Sequence, residues 1–76
     1  MILVFKGDID EAVGRFTDKG WKLIERGKGK EEAWIILSDH NGTWALFKFR
    51  AGKDINGDSK TIVMYHRTID RGISLF

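Results

Sequence analysis

Cations and aromatics that suit a single-stranded nucleic acid recur along this chain: Lys22, Arg26, Lys48, Arg50 and Arg67, with Trp44 and Tyr65 among them. A base stacks on an indole or phenol ring while neighbouring ammonium and guanidinium groups follow the phosphates. Within a strand, alternate residues share a face. Trp44, Lys48 and Arg50 keep that spacing, as do Lys22 with Arg26 and Tyr65 with Arg67. The same spacing brings Ile24, Ile35, Leu37, Leu46 and Val63 to that face. So many apolar groups also suit a protein interface, with an acidic partner or a second copy of the chain.

Other chemistry finds less support. His40 and His66 are the two histidines, they lie on different runs, and there is no cysteine. No H-x-x-H spacing exists, so a zinc site is not expected. Ser38, Ser59 and Ser74 lack a G-x-S-x-G context. Ser38-Asp39-His40 holds triad residue types, but consecutive residues at a strand end point to alternating faces and cannot converge. Arg26-Gly-Lys-Gly-Lys30 lacks the P-loop spacing and precedes a strand, which favours a turn over a phosphate cradle. Lys53-Asp-Ile-Asn-Gly-Asp58 lacks the acidic spacing and terminal Glu of a calcium loop, which favours a hairpin tip. With no nucleophile, base or metal set assembled, the expectation is a non-enzymatic binding module without a cofactor.

The elements that must position these residues follow from composition and pattern. Seventy-six residues make one domain, 1–76, with thirteen Lys/Arg against eleven Asp/Glu and a net charge of +2. The lack of cysteine fits a reducing, cytoplasmic setting. No run reaches the roughly 18 apolar residues of a membrane span, and no leader pattern opens the chain. Met1–Lys6 is an apolar strand-like run placed at a sheet edge. Asp8 then caps a helix, with Glu11 at the capping-box spacing and Ile9, Ala12, Val13 and Phe16 as one stripe. Gly14 inside that helix is expected to allow a close approach to the sheet. Gly20 is expected as the left-handed residue that ends it. Residues 21–26, 32–38, 43–50 and 61–67 alternate as strands. The tail Ile73–Phe76 suits either an edge strand or a docked end. The fold class is therefore α+β, two-layered, β-α-β-β-β-β, with one amphipathic helix on a mainly antiparallel four- to five-stranded sheet.

Turn chemistry sets the expected register. An Asn-Gly between alternating runs signals a two-residue type I′ hairpin. Turns at Lys28-Gly29, Asn41-Gly42 and Asn56-Gly57 would pair Leu23 with Trp34, Trp34 with Phe49, and Phe49 with Met64. Trp21, Ile36, Phe47, Ile62 and a partly buried His66 would join them under the helix. Lys48 would then stand beside Tyr65 and Leu46 beside Arg67 on the other face.

The order helix, Gly20-Trp21, strand, Arg26-Gly-Lys-Gly-Lys30, strand, Asp39-His-Asn-Gly42, strand resembles in layout the small double-stranded-RNA-binding-like toxins of the HicA type over residues 9–50. Lys30-Glu31-Glu32 stands where that family would place its catalytic histidine. Thr61–Arg67 reads as a strand where that family would have a final helix. The resemblance therefore implies shared layout and no activity. The functional expectation is a small module that engages RNA or single-stranded DNA. Its alternative is a regulatory or inhibitory protein, of the kind phages encode against host proteins, acting through the same face.

Overall fold

The alternating runs pair into one sheet, and the amphipathic stripe lies across it. The computed structural model describes residues 2–67, so the tail at 73–76 lies outside the described residues. The elements are β1 (Ile2–Lys6), α1 (Ile9–Thr17), β2 (Lys22–Lys28), β3 (Glu32–Ser38), β4 (Trp44–Lys53) and β5 (Ser59–Arg67). All neighbours are antiparallel, in the order β1-β5-β4-β3-β2. This is the α+β class expected, with β1 on one edge beside β5. Among the described residues no helix is long and apolar enough to cross a membrane.

The helix forms where its capping signals stand. The Asp8 carboxylate accepts the Glu11 N–H at 2.8 Å, satisfying one of the orphan donors of the first turn. Ile9, Ala12 and Val13 are buried against β3, β4 and β5, and Phe16 packs at the margin. Asp18 caps the other end, and the left-handed Gly20 follows two residues later. Gly14 does not approach the sheet. A methyl group placed there would meet nothing within 4 Å.

The hairpin turns differ from the expected two-residue form, and the difference moves side chains between faces. At the β3–β4 turn, the Asp39 N–H donates to Thr43 O at 3.0 Å and the Gly42 N–H donates to Asp39 O at 3.1 Å. The Asp39 Oδ1 accepts the N–H groups of Asn41 and Thr43, both at 2.9 Å. The β4–β5 turn repeats this bond for bond. Asp54 Oδ1 accepts from Asn56 and Asp58 at 2.9 Å each, and the Gly57 N–H donates to Asp54 O at 3.0 Å. Gly42 and Gly57 have φ of +80° and +83°, while no described non-glycine residue has positive φ. A type I′ turn would need it at the asparagines as well. These are three-residue loops with a left-handed glycine at the third position, closed by an aspartate that bonds forward to the backbone.

One extra loop residue shifts each register by one, and a one-residue shift exchanges faces. Phe47 opposes Ile35 and Tyr65, and Phe49 opposes Ala33 and Val63. Phe47 and Phe49 stay under the helix as expected. Trp34, Ile36, Ile62, Met64 and His66 do not. They leave for the second face, and Ala33, Ile35, Leu37, Val63 and Tyr65 take the helix side. The third reversal also moves. The chain turns at Lys30-Glu31, closed by Gly29 N–H to Glu32 O at 2.7 Å, and Lys28 pairs with Ala33. Leu23 therefore opposes Leu37, and a bulge between Leu23 and Glu25 takes up one residue.

The core is the helix stripe with Ala33, Ile35, Leu37, Ala45, Phe47, Phe49 and Val63. Each large apolar side chain buried here contributes about 1.5–3 kcal/mol. Thr61 is wholly buried among them, and its Oγ1 donates to Gly7 O at 3.0 Å, tying β5 to the β1–α1 junction. Two stability measurements check this account. Asp54→Ala removes two charge-assisted bonds from the turn and is expected to cost about 1–2 kcal/mol. Gly14→Ala, with open space at that site, is expected to gain about 0.5–1 kcal/mol. Urea midpoints at unchanged m-value would show both.

Candidate functional site

The second face, away from the helix, is built by the even-numbered residues of β3, β4 and β5 and by Ile2, Val4 and Lys6 of β1. Of the residues the sequence nominates, Lys48 and Arg50 are exposed on this face. Trp44 is half-buried opposite Ser38, and the exposed Lys22 stands opposite Ser38 on the other side. The structure brings these four to one face.

The other three do not join them. Tyr65 lies on the helix side, because the β4–β5 loop is one residue longer than expected. Its ring packs 5.1 Å from that of Phe47, which in turn meets Phe16 at 5.0 Å and Trp21 at 6.4 Å. Arg26 opposes Ile35 in the helix-side row, away from the second face. Arg67 pairs in the register with Ala45, where Leu46 was expected. Lys48 consequently stands beside Met64, and Leu46 beside an exposed His66.

The apolar groups expected on this face are redistributed too. Ile35, Leu37 and Val63 belong to the helix-side core. Ile36 and Leu46 oppose each other on the second face at 3% and 2% exposure, and Ile24 is half-buried.

Two lysines that the sequence reading passed over complete the picture. Lys6 and Lys60 are directly opposed across β1 and β5, on the same face as Arg50 and Lys48. Lys60 pairs with Gly52 on its other side, so Arg50 is its diagonal neighbour on β4. The four cations run obliquely across three strands. None of them forms an ion pair with a described residue; the one such pair, Lys28 with Asp10 at 2.7 Å, lies on the helix side. Like charges opposed across a ladder repel. Glu32 stands opposite Arg50 and is the acid nearest this row in the register.

Beside the cations lies a shallow depression of about 410 Å³, lined by Trp34, Lys48, Arg50, Met64 and Glu32. Trp34 is half-buried, and its indole lies against Gly27 of β2. A Cβ at Gly27 would sit 2.5 Å from the ring. The glycine is therefore a strand residue that receives an indole, and not a turn residue. The signal for Trp34 was the aspartate two positions before each Asn-Gly, which decides loop length.

The remaining candidates are spent elsewhere. Lys28, in the glycine-rich stretch read as a turn, lies in β2 and is held by Asp10. Asp54, in the stretch expected to be a hairpin tip, binds its own turn. Ser38 Oγ donates to Asp39 O at 3.3 Å, and His40 is exposed in the loop. Among the described residues no group of three potential metal ligands comes together.

No protein-family model, curated protein or solved structure matches this chain. The layout likeness to HicA-type toxins stops at β5, a strand over Ser59–Arg67 where that family would have a helix.

Gly27→Ala tests the indole seat. A methyl there must displace Trp34, so a shifted tryptophan emission and a loss of about 1–3 kcal/mol are expected. An unchanged spectrum and midpoint would show that the indole is not held by that contact.

Proposed function

We propose that this chain is a small non-enzymatic module that binds nucleic acid, RNA or single-stranded DNA, through the sheet face away from the helix. One observation supports the reading: Lys6, Lys60, Arg50 and Lys48 stand as neighbours across β1, β5 and β4, none ion-paired with a described residue, with Glu32 opposite Arg50 as the acid nearest to them in the register. A chain of phosphates relieves their mutual repulsion, because each contact neutralises a cation and releases counterions from the strand. Trp44 and Lys22 extend the contact set at the far end of the same face. The cations supply affinity and the indole supplies stacking, so the module is expected to discriminate weakly among sequences.

About four phosphate contacts give a salt slope near −3 for a single strand, or roughly fifty-fold weaker binding between 50 and 200 mM salt. Reversing Lys48 and Arg50 together to glutamate should weaken binding to a labelled oligonucleotide by about a hundredfold or more. Trp44→Ala should weaken it less and leave the salt slope unchanged. Arg26→Glu, in the helix-side row, serves as the control and should change affinity by no more than about threefold. Fluorescence anisotropy across a salt series reads all three. Salt-independent binding, or equal loss with Arg26→Glu, overturns the assignment of the face.

A further inference from the structure

The two edges of the sheet are unlike. On β2 the outer edge carries the charged Lys22, Glu25, Arg26 and Lys28, and a bulge between Leu23 and Glu25 distorts it. Charges and bulges are the devices by which proteins keep an edge strand from pairing with another chain. Among the described residues β1 has no bulge and a single charge, Lys6, at its end. Ile2-Leu-Val-Phe5 is regular, uncharged until Lys6, and exposed, with Ile2, Leu3 and Val4 at 66%, 41% and 65%. The helix packs mainly on β3, β4 and β5, away from this edge.

The ladder fixes which backbone groups face outward. The Gly7 N–H donates to Ser59 O at 3.1 Å, so Gly7 lies in the inward-bonding phase of β1 with β5. Backbone groups alternate along a strand, which turns those of Leu3 and Phe5 inward and those of Ile2, Val4 and Lys6 outward. The outward residues are symmetric about Val4.

We propose that β1 is a self-association edge, and that its partner is β1 of a second copy, antiparallel, about a two-fold axis at Val4. That register pairs Val4 with Val4 and Ile2 with Lys6 of the second copy. It forms about six backbone hydrogen bonds, more than a register centred on Leu3 or Phe5. It also keeps the two Lys6 ammonium groups apart, since each opposes an isoleucine. Leu3 of one copy then packs beside Phe5 of the other on the helix side. The result is a continuous ten-stranded sheet with both helices on one side. A seam of one short strand per copy is smaller than the roughly 1,200–2,000 Å² of stable interfaces, so the dimer is weak and concentration-dependent. It forms without nucleic acid and does not rest on the preceding proposal.

Sedimentation equilibrium of the nuclease-treated full chain, from about 5 to 500 μM to span weak dimers, tests this. The expected mass rises from 8.7 kDa towards twice that value. Val4→Pro deletes an outward N–H without touching the β1–β5 ladder, and Val4→Lys sets a charge on the edge. Both should stay monomeric at the highest concentration with unchanged circular dichroism. If either variant fails to fold, amide exchange in the wild type decides, since the Val4 N–H should slow with concentration while amides of the β2 edge do not. A wild type that stays at 8.7 kDa overturns the proposal. So do folded variants that associate like it, or a Val4 exchange rate independent of concentration.

Discussion

The carboxylates of Asp39 and Asp54 decide how the rest of this molecule is arranged. Each accepts two backbone N–H groups at 2.9 Å and so holds its hairpin loop at three residues. Loop length sets the register of the flanking strands, and register assigns alternate residues to faces. With both loops one residue longer than a type I′ turn, β3 and β5 change faces relative to β4 while the two phenylalanines of β4 stay in place. The helix therefore covers Ile35, Leu37 and Val63, and the second face receives Trp34, Ile36 and Met64.

Packing confirms that this parity suits the chain. Ala33 and Ala45 flank Phe49 and Phe47 on the helix side, and these small residues leave room for the phenylalanine rings and the Phe16 ring above them. The expected parity would have set Trp34 and Met64 beside the phenylalanines under a nine-residue helix, which has little surface to cover so much bulk. Trp34 instead meets Gly27, whose missing side chain leaves a seat for the indole.

The helix and the strand count were legible because their signals are local and unopposed: Asp8 and Glu11 at capping distance, a stripe at Ile9, Ala12, Val13 and Phe16, and clean alternation in four later runs. The faces were not, because Asn-Gly serves two loop types. In one the asparagine takes positive φ; in the other only the glycine does, and an aspartate two residues before the asparagine selects the second. That aspartate stands in the sequence at both turns, so the information was present but outweighed by the dipeptide. Lys48, Arg50 and Trp44 lie on the second face as expected because β4 keeps them there under either register, and Lys22 because the bulge in β2 returns it to that face. Tyr65 was misplaced by the extra loop residue. Lys6 and Lys60 were missed because their adjacency exists only once β1 lies beside β5, a long-range pairing that no local pattern encodes.

The twin turns also bear on how the protein ages. Asparagine followed by glycine is the pair most prone to deamidation, because the glycine nitrogen attacks the side-chain amide to close a succinimide ring. In both loops that nitrogen is engaged: Gly42 N–H binds Asp39 O, and Gly57 N–H binds Asp54 O. The geometry that sets the strand register thus also restrains the attacking atom, and chemical damage at Asn41 and Asn56 has to await the opening of a hairpin.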